Sequence, residues 1–238
     1  EIQPNTKYFA FFEYDYNSST GNGYIKGNVN GEVLDSVSGA NRMDAHNGDI
    51  EFGYGDCCFK GLNNCGGAGH FSGQIAEFIS GQMTINNTQR NIIANYLSAK
   101  YGISLAGLTD LYAHDENYGY RVIGIGQEST SDNHFTAKGR DIVRISNPSD
   151  IDNGEYLLAG NNNDSIDTWS ANNTPGHDVQ RLEREWRVST TGDPGSVKMA
   201  VDSASLPSLP AGFDEYAIII DQDGDFTSGA VYKPIQEN

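Results

Sequence analysis

Short apolar runs separated by polar turns recur along the chain, and most of them alternate at the two-residue period of a strand. Residues 7–16, KYFAFFEYDY, are aromatic and strand-like, and the cluster SSTGNG at 18–23 ends them in a turn. The stretch from Tyr24 to Leu34 alternates loosely around Asn30-Gly31, a pair whose tolerance of positive φ suits a type I′ hairpin. A short strand is expected at 50–55, and a half-buried one at 71–79, where apolar and polar side chains alternate. Further strands are expected at 120–125, 141–145, 156–159, 185–189, 197–201 and 216–220. The polar turns SNPSDIDNG, NNNDS, ANNTPG and TTGDPG part them, and LPSLPAGFDEY (206–216) reads as a Pro-rich connection before a last buried strand.

One segment has a different period. Asn86 is placed to cap a helix, with Gln89 three residues on to complete a capping box. Ile92, Ile93, Tyr96, Leu97 and Tyr101 follow near helical spacing, and Gly102 can end the helix in the left-handed conformation. The pattern predicts one helix over 86–101 in an otherwise all-β chain.

Composition agrees with many short strands and turns: 28 Gly, 13 Tyr and 10 Phe in 238 residues. Lys and Arg number 15 against 32 Asp and Glu, a formal net charge of −17. So negative a surface repels phosphate backbones, so nucleic acid is not an expected partner. It suits solubility, calcium binding and contact with neutral polymers such as glycans, although many secreted proteins are simply acidic. No segment reaches the length of a membrane span, so membrane insertion is not expected. The chain opens on Glu1, as a processed protein or a fragment of a longer one would.

The three cysteines, Cys57, Cys58 and Cys65, share one Gly/Asn-rich loop, CCFKGLNNC. No second Cys/His pair completes a zinc set. A disulfide from Cys65 to Cys57 or to Cys58 is expected in an oxidising compartment and would leave one thiol over.

Residues 71–105, FSGQIAEFISGQMTINNTQRNIIANYLSAKYGISL, resemble the end of a LamG-like module of the concanavalin A-like lectin/glucanase class, where a strand F-x-G-x-I-A-E leads into a short helix ending K-Y-G. YIKGNVNGEV (24–33) is similar to that family's hairpin with a central Asn-Gly. YGYRVIGIGQ (118–127), EYLLAGNNND (155–164), RLEREWRVSTTGDPGSVKMAVD (181–202) and YAIIIDQDGDFTSG (216–229) resemble an uncharacterised β domain that follows LamG-like modules in large surface or secreted proteins of Bacteroidetes-type bacteria. The resemblance implies two domains. Residues 1–105 would be the C-terminal part of a LamG-like jelly-roll sandwich lacking its N-terminal strands, and 106–238 a second β-sandwich. A sandwich without half its strands exposes apolar faces and open edges. The rest of a longer polypeptide, or another chain, is therefore expected to complete the first sandwich.

Candidate chemistry is sparse. Asp221, Asp223 and Asp225 alternate around Gly224 and could converge on Ca²⁺, although the Glu that closes an EF-hand loop is absent. The plainer reading is an acidic turn whose carboxylates cap backbone amides. Asn161, Asn162, Asn163 and Asp164, with Asp150 and Asp152 near in sequence, offer oxygens to Ca²⁺ or to sugar hydroxyls, though such runs are more often surface turns. Glycoside hydrolysis needs two flanking carboxylates. The nearest pairs are Glu13 with Asp15, and Glu183 with Glu185, the second reading better as a charged strand edge with Arg181, Arg184 and Arg187 as partners. Trp186 falls inside an alternating strand and reads as core. Trp169 lies in the polar loop SIDTWSANN and reads equally as a glycan platform or as a plug anchoring its loop.

The sequence thus leads us to expect a non-enzymatic, secreted or cell-surface contact and adhesion region of a large bacterial protein. Its expected partners are glycans or another surface protein, and a type IX-secreted adhesin fits the resemblance. The ligand-binding candidates are Trp169, Asn161 and Asn163, with Ca²⁺ as candidate cofactor. The alternative is an accessory carbohydrate-binding region of a secreted polysaccharide-degrading enzyme.

Overall fold

The computed structural model describes residues 3, 5–17, 19–40, 54–55, 69–70, 73–81 and 84–235. The expected cysteine staple at Cys57, Cys58 and Cys65 lies outside them. The chain is mostly β-sheet, as its alternation predicts. Strands β1 (Ala10–Asn17), β2 (Asn22–Val29) and β3 (Glu32–Ala40) form one sheet in that order, and β4 (Tyr54–Gly55) pairs with β5 (Gly69–His70). Helix α1 (Asn87–Tyr101) and a single turn α2 (Asp115–Tyr118) lead to β6 (Tyr120–Ser129), β7 (Asp132–His134), β8 (Thr136–Lys138) and β9 (Val143–Ser146). Then come β10 (Glu155–Asn161), β11 (Trp169–Ser170), β12 (Arg181–Leu182), β13 (Trp186–Thr191), β14 (Lys198–Val201), β15 (Ala217–Ile220) and β16 (Val231–Pro234).

Packing divides the chain into two compact units. One comprises Glu1–Phe12, Lys26–Asp35 and Ile85–Asn238; the other comprises Glu13–Ile25 and Ser36–Thr84. The division expected at residue 105 was one of sequence, and packing does not follow it. Helix α1, assigned there to the first domain, packs on β6 and β7 within the larger unit.

The larger unit is a sandwich. Its sheet β13-β10-β6-β7 faces the sheet β14-β9-β8 across a shared core. Ile123 and Ile125 of β6 and Leu157 and Ala159 of β10 meet Ala137, Val143 and Ile145 of the opposing sheet. The other face of β6 and β10 carries Val122, Tyr156 and Leu158 and is covered by Ile92 of α1 with Leu111 and Tyr112. Buried on both faces, β6 has no polar alternation over VIGIG, as a strand between two layers should not. Burying side chains such as Ile125 and Leu158 completely contributes about 1.5–3 kcal/mol each.

Glycines fit the helix side of this sheet. A Cβ on Gly126 would run into the Tyr156 ring, and one on Gly124 would lie 2.9 Å from Leu158. The helix begins as its sequence predicts. Gln89 N–H donates to Asn86 Oδ1 at 2.8 Å and Asn86 N–H donates to Gln89 Oε1 at 3.1 Å. Gly102 closes it at φ 65°, donating to the Ser98 carbonyl. Sequence did not reveal the second cap: Asp132 of β7 accepts from the backbone N–H of Asn87 (3.1 Å) and of Thr88 (2.9 Å). Asn30-Gly31 forms the expected hairpin with φ 50° and 88°, and Asn30 Oδ1 accepts from Phe9 N–H at 3.0 Å.

The strand expected at 71–79 does not form over its described part. Residues 74–81 join no ladder, and Ile75, Phe78 and Ile79 are exposed. Alternation assigns side chains to faces but does not supply the neighbouring strand on which a ladder depends.

Candidate functional site

An open depression of about 600 Å³ lies in the smaller unit, at the end of the β1-β2-β3 sheet where β1 turns into β2. Asp15 and Asn17 share one face of β1, and Asn22 and Tyr24 share one face of β2, because strand side chains two residues apart point the same way. Thr20 of the turn and Ser38 of β3 complete the polar lining, and Gly23 and Gly39 leave it unobstructed.

Local hydrogen bonds fix the rim. Asn17 Oδ1 accepts from the backbone N–H of Ser19 at 2.9 Å and of Thr20 at 3.3 Å, and Gly21 N–H donates to the Asn17 carbonyl. With its oxygen engaged, the Asn17 amide offers a ligand its Nδ2 donors. The lining therefore combines a carboxylate acceptor, amides, hydroxyls and an aromatic ring. That set suits a hydroxyl-rich ligand lying across a surface better than an apolar molecule held in a closed cavity.

Of the other candidate residues, Asn161 serves the fold. Asn161 is buried, with its Nδ2 donating to Asp141 Oδ2 and its Oδ1 accepting from Asn163 N–H at 2.8 Å. Both ends of the amide are engaged, so Asn161 is not placed to bind a ligand. Asn163 is an exposed turn residue at φ 62°. Asp150 and Asp152 precede the seven-residue β10 while Asn161 ends it, which separates the two groups by roughly 20 Å.

Asp141 is the centre of a buried polar cluster that sequence reasoning missed. Besides Asn161 it accepts from Arg184 Nη1 (3.1 Å) and Trp186 Nε1 (3.0 Å). Trp186 is thus core, as its strand position suggested, with its polar edge satisfied. Of the three arginines expected to pair along the edge of β13, Arg181 pairs with Glu185 at 2.9 Å, while Arg184 turns inward to Asp141. Arg187 instead grips the acidic loop after β15. Nothing local in the sequence marks the cluster, because Asp141, Asn161 and Arg184 lie twenty or more residues apart and each has an ordinary surface residue type.

Trp169 plugs its loop. Its Nε1 donates to the Ser208 carbonyl at 2.9 Å and its ring stacks on Tyr216, whose hydroxyl donates to the Pro207 carbonyl at 2.9 Å. The two aromatics fasten the Pro-rich connection. The depression beside them, between Gln180, Phe213 and Glu215, measures only about 50 Å³.

The loop Asp221–Thr227 is held by nested turns. Asp221 Oδ1 accepts from Asp223 N–H (2.8 Å) and Gly224 N–H (2.6 Å), and Asp223 Oδ1 accepts from Asp225 N–H (2.8 Å). The Gly224 amide, chief among several donors, holds the Asp221 carboxyl below its ordinary range. Arg187 donates to the carbonyls of Gln222 (3.2 Å) and Asp223 (2.7 Å), so a guanidinium already faces the loop's oxygens. Among the described residues, no three Asp, Glu, His or Cys side chains gather as a metal cage would.

No curated protein and no solved structure matches the chain. One family model does, over residues 89–238, which takes in most of α1 and everything after it. That match covers more than half of the sequence, and the chain belongs to the family described as a domain of unknown function, DUF8202.

Proposed function

We propose that this chain is a non-enzymatic extracellular contact region of a large bacterial surface protein, and that it recognises glycans. The observation that carries the reading is the open polar depression of Asp15, Asn17, Thr20, Asn22, Tyr24 and Ser38. Its donors and acceptors match sugar hydroxyls, and Tyr24 adds an aromatic surface. The likeness of residues 71–105 to LamG-like modules and the acidic composition support the same reading.

The test is a glycan array probed with the whole chain, with and without EDTA. Selective binding that falls on Tyr24→Ala and Asn22→Ala supports the reading. Loss of binding in EDTA, reproduced by Asp223→Asn, would add Ca²⁺ at the Asp221 loop. Binding to no glycan overturns the proposal, as does turnover of a polysaccharide that is lost on Glu13→Gln or Asp15→Asn.

A further inference from the structure

Resting on that reading of the depression, we infer that its ligands are uncharged sugars and that Asp15 is the residue that excludes acidic ones. Among the described residues, the lining holds one charged group at neutral pH, the Asp15 carboxylate, and no lysine or arginine. The nearest cation along β2, Lys26, lies two residues beyond Tyr24 on the same face of the strand, outside the residues that line the depression. Every other lining side chain is an amide, a hydroxyl or an aromatic ring. Sugar hydroxyls can donate to the carboxylate and both donate to and accept from the amides and hydroxyls.

The carboxylate of a uronate, or a sulfate group, has no donor to give Asp15 and would place a second negative charge beside the first. The penalty arises at contact range and is screened by salt. The chain's net charge of −17 adds a diffuse repulsion of the same sign. Asp15 is exposed, so its charge stays solvated, and the selectivity is moderate and salt-dependent. Selection by charge needs no closed pocket, which agrees with the open form of the depression. Recognition here distinguishes neutral from anionic polymers before it distinguishes one neutral sugar from another.

The experiment measures affinity of the whole chain for length-matched oligosaccharides: neutral glucose, mannose, galactose and xylose series against uronate and sulfated series. At low salt the best neutral series should bind about tenfold more tightly than either anionic series, and the gap should shrink at high salt. Asp15→Asn should narrow the gap mainly by strengthening anionic binding. Ser38→Ala, which carries no charge change, should weaken neutral and anionic binding alike. Anionic sugars binding as well as neutral ones, or a gap that Asp15→Asn leaves unchanged, overturns the charge inference while leaving glycan recognition standing. If no series binds, the glycan reading fails and the inference fails with it.

Discussion

Arg184 Nη1 meets Asp141 Oδ1 at 3.1 Å with only 6% and 3% of the two side chains exposed. Arg121 Nη1 also stands 3.8 Å from Asp141 Oδ1, but its side chain is partly exposed, so Arg184 is the buried counter-ion. Arg184→Ala is expected to destabilise the larger unit by up to about 3–5 kcal/mol in urea melts, the usual cost of breaking a buried pair, with Arg121 offsetting part of it. Arg184→Met together with Asp141→Asn, which keeps a side-chain oxygen for the Asn161 and Trp186 donors, should recover part of the loss. Equal destabilisation by the single and double changes would refute the pairing as the cause.

The Asp132 cap gives a pH signature. Partial burial pushes its carboxyl up, but the donors from Thr88 and Asn87 together outweigh this and hold it below its ordinary value. A carboxyl lowered in the folded state adds stability that is complete above the unfolded pKa, near about pH 4, and is lost as pH falls through the folded pKa. Asp132→Ala should cost about 1 kcal/mol at neutral pH, as loss of a helix cap does. The difference between wild type and variant should shrink in acid. A difference constant from neutral pH to pH values well below the carboxyl range would rule out the cap as its source.

Gly160 lies where a side chain has no room. A Cβ there would press on the Tyr118 carbonyl and stand 2.6 Å from the Tyr112 hydroxyl. Gly160→Ala is expected to lower stability by about 1–3 kcal/mol, the usual range for overpacking a core. Gly154→Ala offers a contrast, because nothing crowds its Cβ and the cost there comes from φ 84° alone. Thermal melts of the two variants separate crowding from backbone strain.

Trp169 provides a direct choice between anchor and platform. As an anchor, Trp169→Phe loses one hydrogen bond, worth about 1 kcal/mol, and keeps the stack on Tyr216. Trp169→Ala should in addition expose the connection at 206–216 to proteolysis while leaving glycan affinity unchanged. Reduced glycan affinity with unaltered proteolysis would instead make it a platform.

Arg187 supplies the last prediction. Arg187→Gln should speed hydrogen exchange at the amides of Asp223, Gly224 and Asp225, because two carbonyl contacts to the loop are withdrawn. Unchanged exchange would show that the nested Asp turns, with the Asn173 amide that donates to the Gly224 carbonyl, hold the loop without Arg187.

Legibility in the sequence followed the range of the interaction. The helix, with Asn86, Gln89 and Gly102 in their expected roles, and the Asn30-Gly31 hairpin were readable because their causes lie within four residues. The central strands β6 and β10 were readable as unbroken apolar runs bounded by polar turns, because burial on both faces leaves little room for polar positions. Short strands such as β7, β11 and β12 carry too few residues to show a period. The cap from Asp132, the Asp141 cluster and the Trp169 contact with Ser208 join residues about forty apart or more, apart from Asn161, and nothing local marks them. The depression escaped notice for the same reason: its residues come from three strands, and only their pairing brings them together.

The Asp141 cluster also bears on how the chain chooses its strand alignment. Asn161 shares a face with Leu157 and Ala159, so sliding β10 by one residue would carry its amide toward α1 and deprive Asp141 of a donor. The apolar pattern of β10 alone does not forbid such a slip, since both its faces are apolar, although the slip would also move Gly160 out of the place where no side chain fits. The buried carboxylate makes the misaligned state expensive and acts as a proofreading device for a strand whose hydrophobic pattern cannot tell one face from the other.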